Sequence, residues 1–183
     1  MTLTEFMTLV LSILTVVAEV ITIKIFAAKI FSKNKYSDKF LKFISNHAFK
    51  IAFAAALIAM SGSLYYSEIA GYEPCKLCWY QRILMYPQVL ILGIALWKKD
   101  ESVKKYILSL SFIGMFISFY HYLLQLGFVS SGSCSAIAGA VSCAKKYTLT
   151  FGYITIPMMA FSAFLLIFVL MLVAKQYGKS NKN

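Results

Sequence analysis

Charge is scarce in this sequence, and what there is of it is lopsided. Charged residues make up 14% of the 183-residue chain, against about 25% in an ordinary soluble domain. Only seven are acidic, against eighteen basic ones, of which a single residue, Arg82, is arginine. The shortage of charge excludes a water-soluble core of the usual kind, because the apolar residues are run together in blocks rather than spaced along one helix face. Proline occurs three times, too rarely to interrupt those blocks. No internal repeat and no low-complexity tract divides the chain. A net charge of +11 would suit nucleic acid, but the basic residues fall between apolar runs, the pattern of membrane topology. No nucleic-acid partner is expected, and membrane lipid is.

The apolar blocks are approximately Phe6–Phe31, Ile51–Tyr66, Trp79–Trp97, Tyr106–Leu126 and Tyr153–Ala174. Runs near 20 apolar residues cross about 30 Å of hydrocarbon as helices. The second block is short and should extend a few residues each way. In the third, eighteen helical steps separate Trp79 from Trp97, about 27 Å. That places the two indoles at opposite interfaces, where tryptophan is enriched.

The loops set the orientation. Lys33, Lys35, Lys39, Lys42 and Lys50 follow the first block, Lys98, Lys99, Lys104 and Lys105 the third, and Lys175, Lys179 and Lys182 close the chain. If all five blocks span, these stretches share one side, and the lysine-rich side is cytoplasmic. The other side carries Lys76, Lys145 and Lys146, with Arg82 just inside the third block. The expected protein is an all-α cell-membrane protein with an extracytoplasmic N-terminus and a cytoplasmic C-terminus. Residues 1–50 make an accessory helix and cytoplasmic linker, 51–174 a four-helix bundle, and 175–183 a basic tail. The first block is too long, and too poor in basic residues at its start, for a cleaved signal peptide. Its Glu19 lies near mid-membrane, either neutral or paired within the bundle.

The four cysteines all fall in the two loops this topology places outside, where disulfides persist. Cys75 and Cys78 stand in Glu73-Pro74-Cys75-Lys76-Leu77-Cys78-Trp79-Tyr80-Gln81-Arg82. Pro74 breaks what precedes it, so a membrane helix starts at or just after Cys75. Both sulfurs then sit at a helix N-terminus, which favours thiolate. Such thiolates at a membrane surface suit disulfide exchange or attack on an electron acceptor. Arg82 follows Cys78 by four residues, on the same helix face. It can stabilise the Cys78 thiolate or bind a quinone carbonyl, or it can be an interface cation that snorkels. His121 and Gln125 fall near the same depth on the fourth block, where they suit a two-carbonyl head group or a plain interface. Cys134 and Cys143 lie in a loop of small residues, as a structural staple or as an exchanging pair. A zinc site built from all four is disfavoured by the wide second spacing, and no metal is expected.

These residues resemble the DsbB family of disulfide-bond formation proteins, in particular its short bacterial, BdbC-like branch. The resemblance runs from about Ile51 to Ala174. It rests on Ser61-Gly62-Ser63-Leu64-Tyr65, Cys75-Lys76-Leu77-Cys78-Trp79-Tyr80-Gln81-Arg82-Ile83-Leu84-Met85-Tyr86-Pro87, His121-Tyr122-Leu123-Leu124-Gln125 and Phe151-Gly152-Tyr153-Ile154-Thr155-Ile156-Pro157. It implies a four-helix membrane bundle that reoxidises an extracytoplasmic thioredoxin-like thiol oxidase of the DsbA or BdbD kind. The electrons pass to a membrane quinone, ubiquinone or menaquinone. By resemblance, Cys134 meets the partner, Cys143 is its mate and exchanges with Cys75, and Cys78 faces the quinone. Arg82, His121 and Gln125 match positions near the quinone head group. The N-terminal helix falls outside the family's core, and the Cys134–Cys143 loop is shorter than in the best-known members. A relative of vitamin K epoxide reductase, or a membrane scaffold or transporter subunit with two structural disulfides, are the competing readings.

Overall fold

The computed structural model describes residues 2–30, 35–129 and 142–177. Five helices account for most of them: α1 (Leu3–Ile30), α2 (Lys35–Leu64), α3 (Lys76–Lys98), α4 (Lys104–Leu126) and α5 (Ile156–Tyr177). Helix α2 runs into a π-helical turn, Tyr65–Ile69. Spans were expected in all five places. By length and composition, α1, α2 with its π turn, α4 and α5 qualify as membrane-crossing helices. Helix α3 equals α4 in length, 23 residues, and falls short only in apolarity. The polar side chains responsible are turned inward: Gln81 and Gln88 are buried, and Arg82 bonds to α2. Between them α3 and α4 share a deep polar contact, Ser111 Oγ donating to Gln88 Oε1 at 2.9 Å.

The outer faces are apolar. Ile23, Leu90, Phe116 and Trp97 are among the large hydrophobic side chains left exposed, far more than water tolerates in one protein. They form the belt that lipid covers.

One linker is a helix instead. Residues 35–50 continue α2 without a break. The reason is a stripe at helical spacing: Leu41, Ile44 and Ala48 are all buried, in one cluster with Ile25 of α1. With 30 residues, α2 is about 45 Å long, so its lysine-bearing first turns project beyond the hydrocarbon.

Close packing depends on small residues. Ala48, Ala52 and Ala56 of α2 are fully buried at four-residue intervals, a seam that lets helices approach without large side chains between them. Between α4 and α5 the device is Gly114, where an added Cβ would meet the Phe164 ring at 2.4 Å.

Helix α1 is joined to the bundle by polar clasps. Glu19 accepts from Tyr153 Oη at 2.9 Å and Ser162 Oγ at 2.8 Å, so the mid-membrane carboxylate is paired within the bundle. Nearer the cysteine end, Tyr66 Oη donates to Thr8 Oγ1 at 3.1 Å.

Candidate redox site

Cys75 is the N-cap of α3, in extended conformation (φ −73°, ψ 173°). Its carbonyl accepts from Trp79 N–H, the first turn of the helix. Pro74 places the break where the sequence requires it. Cys78 comes one turn later, and the two thiols are free, with Sγ atoms 3.3 Å apart.

The two sulfurs face different surroundings. Cys75 is buried in a small cluster with Leu77, Leu124 and Cys143. Beside it stands His121 of α4, itself buried. His121 Nε2 lies 3.7 Å from Cys75 Sγ and 3.1 Å from the Cys143 carbonyl oxygen. A carbonyl can only accept, so Nε2 carries the proton. Nδ1 faces Gln81 Nε2 at 3.0 Å, the amide nitrogen donating. One imidazole thus touches both cysteine segments. Cys143 is disulfide-bonded; Cys134 lies outside the described residues.

Cys78 instead lines a partly open cavity of about 290 Å³ between α1, α2, α3 and α5. Gln81, Arg82, Ser63 and Tyr86 are among its polar lining residues, with Thr15 of α1 and Ser162 of α5. Most of the remaining lining is apolar, with Ala55, Ile58 and Ala163 among it. Arg82 is fixed there by Ser63, Nε donating to Oγ and Nη2 to the backbone oxygen, each at 3.0 Å. Its guanidinium stacks 5.3 Å from the Trp79 ring centre. Tyr86 Oη donates to the same Ser63 hydroxyl.

Arg82, His121 and Gln125 were expected around one head group. The structure separates them: Arg82 lines the cavity, whereas no residue of α4 does. Gln125 donates from Nε2 to the Lys145 carbonyl at 3.0 Å, steadying the segment after Cys143, and its Oε1 is buried with no partner among the described residues. Counting turns fixes a residue's height in the bundle but not the direction it faces. Gln81 connects the two halves, lining the cavity while bonding His121. Its signal was present in the sequence, since it follows Cys78 by three residues on one face. The Ser63 contact had no local signal, being made across 19 residues of chain.

The hydrogen bond from Cys78 outweighs burial and, with His121, holds the Cys75 thiol down to about 4. Charge therefore rests first on Cys75, with Cys78 as donor, although the helix terminus alone would favour either. Thiolate persists above that value and is lost as pH falls through it. In the reduced protein, iodoacetamide should modify Cys75 at an almost constant rate down to about pH 5, where an ordinary thiol near 8.5 has lost almost all reactivity. Tenfold slowing per pH unit below 8 would show an ordinary thiol.

The Sγ atoms of Cys75 and Cys78 and a His121 ring nitrogen lie within 4.8 Å of one another. Reduced, the three could share a soft metal ion; a Cys75–Cys78 disulfide would remove two of the ligands.

The family model described as "Disulfide bond formation protein DsbB" matches residues 45–174, from within α2 to near the end of α5. The chain is 53% identical over 124 residues to "Disulfide bond formation protein C" of Bacillus subtilis, covering 68% of this chain and 89% of that protein. It is 54% identical over 115 residues to "Probable disulfide formation protein C" of Halalkalibacterium halodurans, covering 62% and 82% respectively. It is 45% identical over 120 residues to the "SPbeta prophage-derived disulfide bond formation protein B" of Bacillus subtilis, covering 66% and 80%. No solved structure gave a significant match.

Proposed function

The chain belongs to the DsbB family of disulfide bond formation proteins, and we propose that it is a membrane thiol:quinone oxidoreductase that reoxidises an extracytoplasmic thioredoxin-like thiol oxidase. The observation that carries this reading is the placement of the sulfurs. Cys75 shares His121 with the Cys143 backbone, while Cys78 lies on the wall of an apolar cavity. A relay from one cysteine pair to the other, and on to an acceptor in the membrane, needs that division. Family membership favours it over the epoxide-reductase and scaffold readings.

The thiol steps balance within the chain. A partner thiolate attacks the Cys134–Cys143 disulfide, and closure of the partner's own disulfide leaves both cysteines reduced. The Cys143 thiolate then attacks Cys75 of a Cys75–Cys78 disulfide, and Cys78 leaves as thiolate. Cys134 attacks Cys143, Cys75 departs, and the electron pair has moved to Cys75 and Cys78. The Nε2–H of His121 stands beside Cys75 as it becomes a leaving group, and a lower leaving-group pKa speeds exchange. The cavity suits a quinone, with hydrogen-bonding groups near Cys78 and apolar walls for a ring and tail. Bound there, a quinone supplies an acceptor for two electrons and two protons. Arg82, held by Ser63 and Trp79, and the amide of Gln81 are the groups that would bind its carbonyls; ubiquinone and menaquinone both offer two.

Orientation follows from the lysines: the cysteine end faces outward and the N-terminus of α1 lies on that side. The test is to mix purified protein, a soluble quinone and the reduced form of a thioredoxin-like oxidase, and to follow quinone absorbance. One quinone should disappear per partner disulfide formed. Partner oxidation without quinone loss would refute the reading.

A further inference from the structure

Helix α1 lies outside the residues the family model matches, yet it supplies one wall of the cavity that Cys78 and Arg82 line. We propose that α1 is a specificity-determining wall of the acceptor site, shielding a bound quinone from bulk lipid and limiting what the cavity admits. The inference rests on the quinone reading above and goes beyond it by giving α1 a part in acceptor binding.

Four observations carry it. Leu11, Leu14, Thr15, Ala18 and Ile21 all line the cavity, so α1 presents a continuous strip rather than a chance contact. Leu11 sits so close to α2 that a Cβ on Gly62 would meet its Cδ1 at 3.0 Å. Glu19 is bonded to Tyr153 and Ser162, and Ser162 lines the same cavity. A plain anchor needs none of these, because lipid would satisfy an apolar helix, whereas a carboxylate held at this depth fixes position and rotation. Finally, the lining on α2 extends from Ser63 to Ile51, twelve helical steps or about 18 Å. That slot is longer than a ring, and it accommodates the ring with the first part of its tail, against which the α1 strip packs.

The experiment combines photolabelling with three variants of the full chain. An azido-quinone is cross-linked to the parent protein with and without excess unmodified quinone, and the labelled peptides are mapped. Ala18→Trp places an indole in the cavity. Leu14→Ala removes side-chain contact from the same wall. Val20→Trp puts equal bulk on the exposed side of α1. The expected result is competable labelling of residues 11–21. For Ala18→Trp, the KM for quinone should rise about tenfold or more, with a smaller rise for Leu14→Ala and none for Val20→Trp. Labelling confined to α2, α3 and α5, with an unchanged KM in both wall variants, would overturn the role of α1 and leave the thiol:quinone reading standing. A parent that neither reduces quinone nor is labelled would overturn both. If Ala18→Trp does not accumulate folded, the parent's labelling pattern and Leu14→Ala still decide.

Discussion

Cys78→Ser is expected to reduce quinone turnover to background while leaving the protein inserted and able to react with its partner. The variant keeps Cys75, which faces His121 and packs with Cys143, and removes the sulfur on the cavity wall. Without Cys78 there is no Cys75–Cys78 disulfide to accept electrons. The remaining Cys75 thiolate can attack Cys143, releasing Cys134, and a Cys75–Cys143 disulfide should accumulate. Non-reducing peptide mapping would detect it, and the Cys134–Cys143 disulfide that remains should still form a mixed disulfide with a partner. Cys134→Ser should show the complement: no partner reaction, with quinone reduction still driven by small dithiols. Full partner-driven turnover in both variants would contradict the relay.

Arg82→Lys is the second large effect expected. The sequence uses lysine everywhere else a cation is needed, and the structure shows what a lysine would fail to do. Arg82 gives Nε to the Ser63 hydroxyl and Nη2 to the Ser63 carbonyl while lying on Trp79. A lysine ammonium is a point charge and reproduces neither the fork nor the stacked plane. Losing a hydrogen bond to a charged group costs about 1.5–3 kcal/mol, which corresponds to about a tenfold to hundredfold loss in quinone affinity or turnover. A titration of quinone against the parent and the variant, at equal membrane expression, measures it. Equal KM and equal maximal rate would mean that Arg82 is only an interface cation, since either side chain can reach the headgroups.

Much of this molecule is legible in its residues because a membrane imposes long, blocked patterns. The five apolar runs lie where helices form, and the start of α3 follows from Pro74 and Cys75. Less legible was whatever depends on contacts between distant segments. The first turns of α2 read as a linker because lysines dominate them, and their buried stripe becomes meaningful only with Ile25 opposite. Height along a helix was computable for Arg82, His121 and Gln125, but which neighbour each faces was not. Ser63 holds Arg82 from another helix, and a serine among small residues carries no sign of that work. Glu19 was conspicuous as a charge in a span. Its partners, at positions 153 and 162, could not be named from sequence.

Those partners also set an order in time. Glu19 is made early, and the groups that bond it come 134 and 143 residues later. At about 5–20 residues per second, synthesis of the intervening chain takes roughly 7 to 29 seconds. During that interval the first helix is in the bilayer with its carboxylate unmatched by the side chains that will hold it. Only when the last helix emerges can the first be locked against it. The cavity, lined by residues of both helices, is therefore complete only once α5 has joined the bundle.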